Sequence, residues 1–209
     1  MSIYQVYMKK IHNNITNNEI EVGIDEAGRG PLIGRVYVGC VNWGNTVENK
    51  DVMDSKKMTP KKRESVFKWI ESNVDDWAVG YADETEIDNI NILQATKLAI
   101  TRSLEQLDNK PNFLIIDGIN WDFENYNVTS IVKGDSKYYS IAAASIIAKV
   151  YHDRYIKELC KENPELNERY DLLKNMGYGT KKHIEGIKKY GLSKFHRKTF
   201  KIKQLNLHD

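Results

Sequence analysis

Residues 20–31, IEVGIDEAGRGP, join a strand-like pattern to an acidic pair and a glycine-rich turn. Apolar side chains at every second position up to Ile24 are typical of a β-strand, which we expect to end at Asp25. Similar alternation at residues 36–41 and 77–81 predicts two further strands. Three strands so closely spaced along the chain favour an antiparallel meander.

Helical patterns separate and follow these strands. Thr59-Pro60 is a good helix start, because threonine can cap a helix and proline suits the first helical position. Apolar residues at positions 93, 100, 104 and 107 predict a second, amphipathic helix. A long helical pattern begins at Ser140 and stops before Pro164, and Thr180 is expected to cap a last helix.

Two more strand candidates end close to acidic residues. The continuous apolar run at 113–116 stops at Asp117 and suits a strand covered on both faces. Ile131-Val132 is a shorter candidate that stops just before Lys133-Gly134-Asp135. The whole pattern predicts an α/β protein: a mixed five-stranded sheet flanked by helices, with a helical C-terminal part. We expect a polar lead-in at 1–19, a core at 20–145 and a basic, helical part at 146–209.

Four carboxylates stand at or beside predicted strand ends: Asp25, Glu26, Asp117 and Asp135. Any one of them alone would more often be an ordinary turn residue. Carboxylates gathered at neighbouring strand ends repel one another unless cations neutralise them. Mg²⁺ and Mn²⁺ suit such a site because they take hard oxygen ligands, and a pair about 4 Å apart can serve phosphodiester hydrolysis. We therefore expect these residues to bind two divalent ions.

The composition disfavours several other classes of protein. The chain has 209 residues, of which 41% are hydrophobic and 29% charged, as is ordinary for a globular protein. No stretch has the roughly 20 apolar residues of a membrane span, and the N-terminus lacks a signal-peptide core. Cys40 and Cys160 form no CxxC pair, which disfavours a zinc site and fits a reduced, cytoplasmic setting.

Basic residues are concentrated near the C-terminus, although the net charge is only +2. Residues 171–203 contain ten Lys or Arg residues and two acidic ones. Such a run is either a solvated helical face or a surface that binds phosphates, and together with the acidic cluster it favours the second.

Several short motifs follow one another along the chain: DEAGRGPLIG (25–34), DSKK (54–57), Asp117-Gly118, KGDS (133–136), SIAAASIIAKV (140–150), GYGT (177–180) with His183, and His196-Arg197 near Phe200. These blocks resemble, in the same order, the signatures of ribonuclease HII, the type 2 ribonuclease H family. They extend from about residue 23 to residue 200, which is nearly the whole chain. A glycine-arginine-glycine turn alone would be weak evidence, but the ordered set is strong.

The resemblance implies a ribonuclease H-like fold and an endonuclease that hydrolyses the phosphodiester 5′ of a ribonucleotide, leaving 3′-hydroxyl and 5′-phosphate ends. Its substrates would be RNA/DNA hybrids and DNA duplexes that contain ribonucleotides, as in ribonucleotide excision repair and primer removal. The four carboxylates would be catalytic and would bind two Mg²⁺ or Mn²⁺ ions. We expect a monomer without membrane attachment.

The resemblance also implies which residues bind the substrate: Gly28, Arg29, Gly30, Lys56 and Tyr178. A glycine-flanked turn lets backbone groups approach a sugar, and the 2′-hydroxyl is the group that distinguishes a ribonucleotide from its deoxy counterpart. The tyrosine ring would pack on the next sugar, where a 2′-hydroxyl would be crowded. The lysine would contact a backbone phosphate.

Other polar residues are expected to have structural roles. Asp153 has a lysine four residues away on either side and should form helical ion pairs. His183 and His196 have no second histidine at ligand spacing, so capping or hydrogen bonding is expected for both. Arg35 and His152 depart from the family pattern, which usually has proline and arginine at these places.

Three other functions fit parts of the pattern. Type 3 ribonuclease H shares the carboxylates but normally has a sizeable extra N-terminal domain, whereas only 24 residues precede Asp25. Another nuclease of the same superfold, such as a resolvase, would not be expected to have these blocks in this order. A catalytically silent nucleic-acid-binding protein would be expected to lack a carboxylate. The tail at 204–207 is too short to predict a sliding-clamp motif.

Overall fold

The computed structural model describes residues 12, 15–16, 20–44, 46, 48–74 and 76–202. Its centre is a five-stranded sheet with the strand order β3-β2-β1-β4-β5. The strands are β1 (Glu21–Ala27), β2 (Val36–Asn42), β3 (Asp76–Ala82), β4 (Phe113–Asp117) and β5 (Asn127–Ile131). The first three pair antiparallel, as predicted, whereas β4 and β5 run parallel to β1, so the sheet is mixed.

Helices cover both faces of this sheet. They are α1 (Pro60–Asn73), α2 (Glu84–Leu104), α3 (Tyr139–Glu162), α4 (Pro164–Tyr170), α5 (Leu172–Asn175) and α6 (Lys181–Tyr190). The Thr59 and Thr180 hydroxyls accept hydrogen bonds from the first turns of α1 and α6, which confirms both predicted helix starts. The predicted fold class is therefore confirmed.

Helix α3 packs directly on β1 and β2, which are interior strands of the sheet. The alanines of the SIAAAS stretch are fully buried there. An ideal Cβ on Gly39 of β2 would lie only 2.4 Å from the carbonyl oxygen of Ala144, so this approach requires glycine. The face beneath α1 and α3 and the face beneath α2 each bury a separate apolar cluster, the second including Ile100 and Leu104.

Three element predictions differ from the structure. Strand β5 occupies Asn127–Ile131 instead of Ile131-Val132, because this half-exposed edge strand carries polar residues that obscure its pattern. Helix α2 has a kink at Asn91 (φ +66°), whose side chain accepts hydrogen bonds from the N–H groups of Leu93 and Gln94. The part that follows the kink is the predicted helix, whereas the part from Glu84 to the kink was not predicted. Helices α4 and α5 were not predicted; Pro164 does follow the end of α3, but it also occupies the first turn of α4.

The strand-end placement of the four carboxylates is only partly correct. Asp117 is the last residue of β4, but Asp25 and Glu26 lie inside β1. Asp135 belongs to a short 3-10 turn, Gly134–Ser136, beyond the end of β5. The boundary expected between 145 and 146 falls inside the unbroken helix α3.

Candidate active site

A cleft of about 200 Å³ opens at the end of β1 and collects most of the predicted site. It is lined by seven of the nine residues singled out from the sequence, namely Asp25, Glu26, Gly28, Arg29, Gly30, Lys56 and Tyr178. Ser55, Ser145 and Lys149 contribute to the same wall, the last two from α3. Asp117 and Asp135 do not line this cleft but interact electrostatically with residues that do.

Asp25 and Glu26 are acidic side chains held away from water. Asp25 is 4% exposed, and its burial raises its pKa well above the ordinary range, with repulsion from Glu26 and Asp117 adding to the effect. Burial also raises the pKa of Glu26, although Arg29 opposes this through an ion pair of 3.2 Å. Both carboxylates are therefore costly as anions unless a cation approaches them.

Asp117 and Asp135 are connected by the turn that follows β5. The Oδ1 atom of Asp117 accepts a hydrogen bond from the backbone N–H of Gly134 at 2.7 Å, which ties β4 to the turn that carries Asp135. Asp135 is 7% exposed, and burial together with repulsion from Asp54 and Asp117 raises its pKa.

The DSK segment adds a carboxylate and an ammonium group to this cluster. Asp54 accepts a hydrogen bond from the backbone N–H of Lys56 at 2.9 Å, and its negative charge contributes to the raised pKa of Asp135. Burial lowers the pKa of Lys56, but attraction to Asp25 and Asp135 outweighs it and raises the pKa overall. Asp54 was not singled out from the sequence, and its place in the DSK block is the signal that points to it.

The donor set fits hard divalent ions. Within the described residues, no three His, Cys, Asp or Glu side chains are already gathered around one point as metal ligands would be. The carboxylates instead repel one another, and their raised pKa values are of the kind that a nearby cation reverses. Oxygen donors without histidine or cysteine favour Mg²⁺ or Mn²⁺ over zinc.

The glycine-rich turn and Tyr178 meet at one wall of the cleft. Gly28 has a φ of +90°, a left-handed conformation that side chains disfavour. An ideal Cβ on Gly30 would lie 3.2 Å from ring carbon Cε1 of Tyr178, so the turn and the ring are in direct contact. The tyrosine is 44% exposed, which leaves part of its ring open to a ligand.

The two departures from the family pattern lie behind this turn. His152 is fully buried beneath Gly28, where an ideal Cβ would lie 2.6 Å from the histidine Cδ2 atom. Arg35 is held between two aromatic rings, with its guanidinium carbon 4.3 Å from the centre of Tyr81 and 4.7 Å from that of Tyr155. Neither residue lines the cleft.

The basic run at 171–203 predicted that Arg197 would belong to a basic surface. The structure shows instead that Arg197 is buried. It is 2% exposed, and burial lowers its pKa to about 10. Its guanidinium donates four hydrogen bonds to backbone carbonyls within residues 28–34. The other described lysines of the run are exposed, and Lys203 lies outside the described residues.

His183 and His196 lie in contact in the interior. Their Nε2 atoms are 3.0 Å apart, although the residues are thirteen positions apart in sequence. Burial lowers the pKa of both, and repulsion from His183 helps to lower that of His196 to about 3. The hydrogen-bonding role expected for both residues is confirmed, but their contact with each other was not predicted.

Asp153 is neutralised by its neighbours. It is paired with Lys149 at 2.7 Å and with the buried Arg63 at 3.1 Å, and it accepts a hydrogen bond from His152. Burial alone would raise its pKa, but the hydrogen bonds and charges of His152 and Lys149 lower it. The predicted ion pair with Lys149 is confirmed, and Arg63 is found as the second cation.

The family model of ribonuclease HII matches residues 22–203 of the chain. The chain belongs to the ribonuclease HII family. The ribonuclease HII of Pelagibacter ubique is 46% identical over 183 residues, which cover 87% of this chain and 96% of that protein. The crystal structure of ribonuclease H2 from Pyrococcus horikoshii is 30% identical with a TM-score of 0.65, covering 86% of this chain and 93% of that one. Ribonuclease HII from Archaeoglobus fulgidus, solved in complex with PCNA, is 25% identical with a TM-score of 0.69, covering 90% and 98%.

As a ribonuclease HII, the chain is a type 2 ribonuclease H, an endonuclease and hydrolase that acts on RNA–DNA hybrids. Dependence on divalent metal ions is typical of this family. The predictions of family and enzyme class are confirmed, and the type 3 and silent-protein alternatives are set aside. Among the helices of the described ranges, none combines the length and apolarity needed to cross a bilayer.

Proposed function

We propose that Asp25, Glu26, Asp117 and Asp135 hold two divalent ions, Mg²⁺ or Mn²⁺, and that cleavage occurs 5′ of a ribonucleotide. The joint lining of one cleft by the carboxylates of β1, the glycine-rich turn and Tyr178 carries this proposal. When bound, such ions supply charge stabilisation at the phosphate and a more acidic water molecule. The products would carry 3′-hydroxyl and 5′-phosphate ends.

The glycine-rich turn would recognise the 2′-hydroxyl of the ribonucleotide. Gly28 and Gly30 have no side chains, so a sugar can approach the backbone closely. The 2′-hydroxyl can accept hydrogen bonds, so backbone N–H groups of the turn can donate to it. Arg29 is held toward Glu26 by its ion pair, so that its backbone and not its side chain faces the sugar.

Tyr178 would read the nucleotide that follows. Its ring touches Gly30, so a sugar packed on its exposed part would be the neighbour of the sugar held by the turn. A flat ring accepts a deoxyribose closely, whereas a 2′-hydroxyl would be crowded against it. This arrangement would favour a ribonucleotide joined to DNA, embedded in a duplex.

Lysines would bind the phosphates of the substrate. Lys56 lines the cleft, and Lys149 lies on the same wall with its Nζ atom 6.0 Å from the ring centre of Tyr178. The exposed lysines of α6, including Lys188 and Lys189, offer a further surface for the duplex. Binding should therefore weaken steeply as the salt concentration rises.

We further propose that the protein acts as a monomer inside the cell. The cleft is lined by residues of one chain, and Cys40 and Cys160 are free and buried. Repair of DNA-embedded ribonucleotides and primer removal would be its tasks.

The decisive experiment is cleavage of a DNA duplex that contains one ribonucleotide. We expect a single cut on its 5′ side with Mg²⁺ or Mn²⁺, and none in EDTA or with an all-DNA duplex. A cut at any other position, or equal cutting of the all-DNA duplex, would contradict the proposal.

Replacement of Tyr178 by alanine tests the reading of the second sugar. We expect Tyr178→Ala to lower kcat/KM about 10-fold on the one-ribonucleotide duplex and clearly less on a long RNA–DNA hybrid, because one base- or sugar-stacking contact is lost. Tyr190→Ala is the matched control, since Tyr190 is 47% exposed and lies outside the cleft. Equal losses on both substrates for Tyr178→Ala would rule out its proposed role.

A further inference from the structure

The C-terminal segment around Arg197 docks onto the glycine-rich turn by backbone pairing. The N–H of Arg197 donates to the carbonyl of Leu32, and the N–H of Gly34 donates to the carbonyl of Phe195, both at 2.9 Å. Successive side chains of extended backbone point to opposite sides. His196 and Arg197 therefore reach different partners from one docked segment.

The guanidinium of Arg197 is devoted to backbone carbonyls. Its Nε atom donates to Gly34 at 2.8 Å, and its other nitrogens donate to Gly28 at 2.6 Å, Arg29 at 3.0 Å and Pro31 at 2.8 Å. No carboxylate of the described residues accepts a hydrogen bond from it. The buried arginine therefore uses its hydrogen-bond donors to fix the conformation of one turn.

These hydrogen bonds decide which way the peptide groups of the turn face. A trans peptide is planar, so its N–H points away from its C=O. Because the carbonyls of Gly28 and Arg29 point inward to the guanidinium, the N–H groups of Arg29 and Gly30 point away from it. Neither of these two N–H groups donates in the backbone hydrogen bonds of the described residues. Both are available to an oxygen atom of a substrate.

The histidine pair has one consistent arrangement of protons. The N–H of Ser193 donates to Nδ1 of His196, so the proton of this ring is on Nε2. That N–H donates to Nε2 of His183, whose own proton is then on Nδ1 and is donated to the carbonyl of Tyr178 at 3.0 Å. Both rings are neutral with every nitrogen paired, and they connect Tyr178 to the docked segment.

We propose that Arg197 and His196 are positioning residues for ribonucleotide recognition. Arg197 turns the amides of the glycine-rich turn toward the substrate, and His196 holds Tyr178 in place through His183. This inference rests on the proposed function, in which the turn and the tyrosine read two successive sugars. One segment thereby sets both halves of the recognition surface.

The first test measures binding without cleavage. Fluorescence anisotropy in EDTA compares a duplex containing one ribonucleotide with an all-DNA duplex. We expect the wild type to prefer the ribonucleotide and Arg197→Met to lose about 5- to 10-fold of that preference, while all-DNA binding changes less than about twofold. Arg197→Lys keeps a positive charge but lacks the fork of donors, and is expected to lose most of the preference as well.

A core variant separates positioning from loss of stability. Leu104 is 2% exposed and belongs to the apolar cluster beneath α2. Leu104→Ala should lower the melting temperature but keep the preference for the ribonucleotide. If folded Arg197→Met and Arg197→Lys kept the wild-type preference, this inference would be wrong. A wild type without any preference would instead contradict the proposed function.

The second test asks whether His196 acts through Tyr178. Selectivity is measured as kcat/KM on the one-ribonucleotide duplex divided by kcat/KM on a long hybrid. We expect His196→Phe to lower this ratio by about 3- to 5-fold in the wild-type background. When Tyr178→Ala is already present, adding His196→Phe should not change the ratio further. An equal effect in both backgrounds would overturn this half of the inference.

Discussion

Asp25 is a buried aspartate and Asp153 is a half-buried one, yet their surroundings have opposite effects. Burial raises the pKa of Asp25, and repulsion from Glu26 and Asp117 raises it further. Asp153 is held by Arg63 and Lys149, and its pKa is lowered. The charge of Asp153 is neutralised by cationic side chains of the protein, whereas the charge of Asp25 would need a bound cation to neutralise it. This difference, more than acidity or burial alone, separates a candidate ligand from a structural residue.

Asp135→Asn should have the largest effect that this contrast predicts. Loss of one proposed ligand should lower kcat by about 1000-fold, because metal ions supply several kcal/mol of charge stabilisation. Duplex binding should be largely kept, which anisotropy can check. Asp108→Asn is the control, since Asp108 is exposed and outside the cleft. Normal turnover of Asp135→Asn with Mg²⁺ would show that the proposed metal site is wrong.

Asp153→Asn should affect stability more than catalysis. It leaves the buried guanidinium of Arg63 without its counter-ion, and breaking a buried pair costs about 3 kcal/mol. Urea denaturation should show this loss, while cleavage at a permissive temperature should fall less than about 10-fold because the metal site is intact. If Asp153→Asn were as stable as the wild type, Asp153 would not have the structural role that distinguishes it from Asp25.

Added metal ion should stabilise the protein only through the cleft. At Mn²⁺ concentrations of ten times Kd, the free energy of unfolding should rise by about 1.4 kcal/mol. Asp25→Asn should lose most of this gain and Asp153→Asn should keep it, as thermal melts would show. The same gain in both variants would place the ion elsewhere.

Mild acid should destabilise the histidine pair, with a smaller effect. The pKa of His196 is lowered from 6.5 to about 3. Below pH 6.5 the unfolded chain therefore binds a proton at this residue, whereas the folded chain binds it only near pH 3. Stability from this residue is complete above pH 6.5 and is lost as the pH falls toward 3. From pH 7 to 5.5 the loss should be about 1 kcal/mol.

His196→Phe is the comparison that isolates this contribution, because the carboxylates with raised pKa values respond to acid in the opposite direction. The variant should lose less stability than the wild type over the same pH interval in urea titrations. An identical pH dependence in both proteins would contradict the expected titration of His196.

The strands with strong apolar alternation and the capped helices were predictable from the sequence because local chemistry determines them. Strand β5 was misplaced since an edge strand needs little apolar character. The part of α2 before the kink also has a local signal, a capping box in which Asp83 and Glu86 each bond the other's backbone.

The residues that line the cleft could be predicted because motif blocks identify them. The role of Arg197 could not be predicted, because a count of basic residues in the sequence does not distinguish a buried arginine from a surface lysine. Its partners lie more than 160 positions away in the chain. The contact of His183 with His196 likewise depends on how α6 and the C-terminal segment pack together.

The four hydrogen bonds of Arg197 also set an order of events during synthesis. The turn at 28–31 leaves the ribosome long before Arg197 does, by about ten seconds or more at ordinary rates of translation. Before the C-terminal segment is made, no other donor among the described residues is seen to hold those carbonyls inward. We expect a nascent chain to fold its sheet early and to distinguish RNA from DNA only after Arg197 has been added.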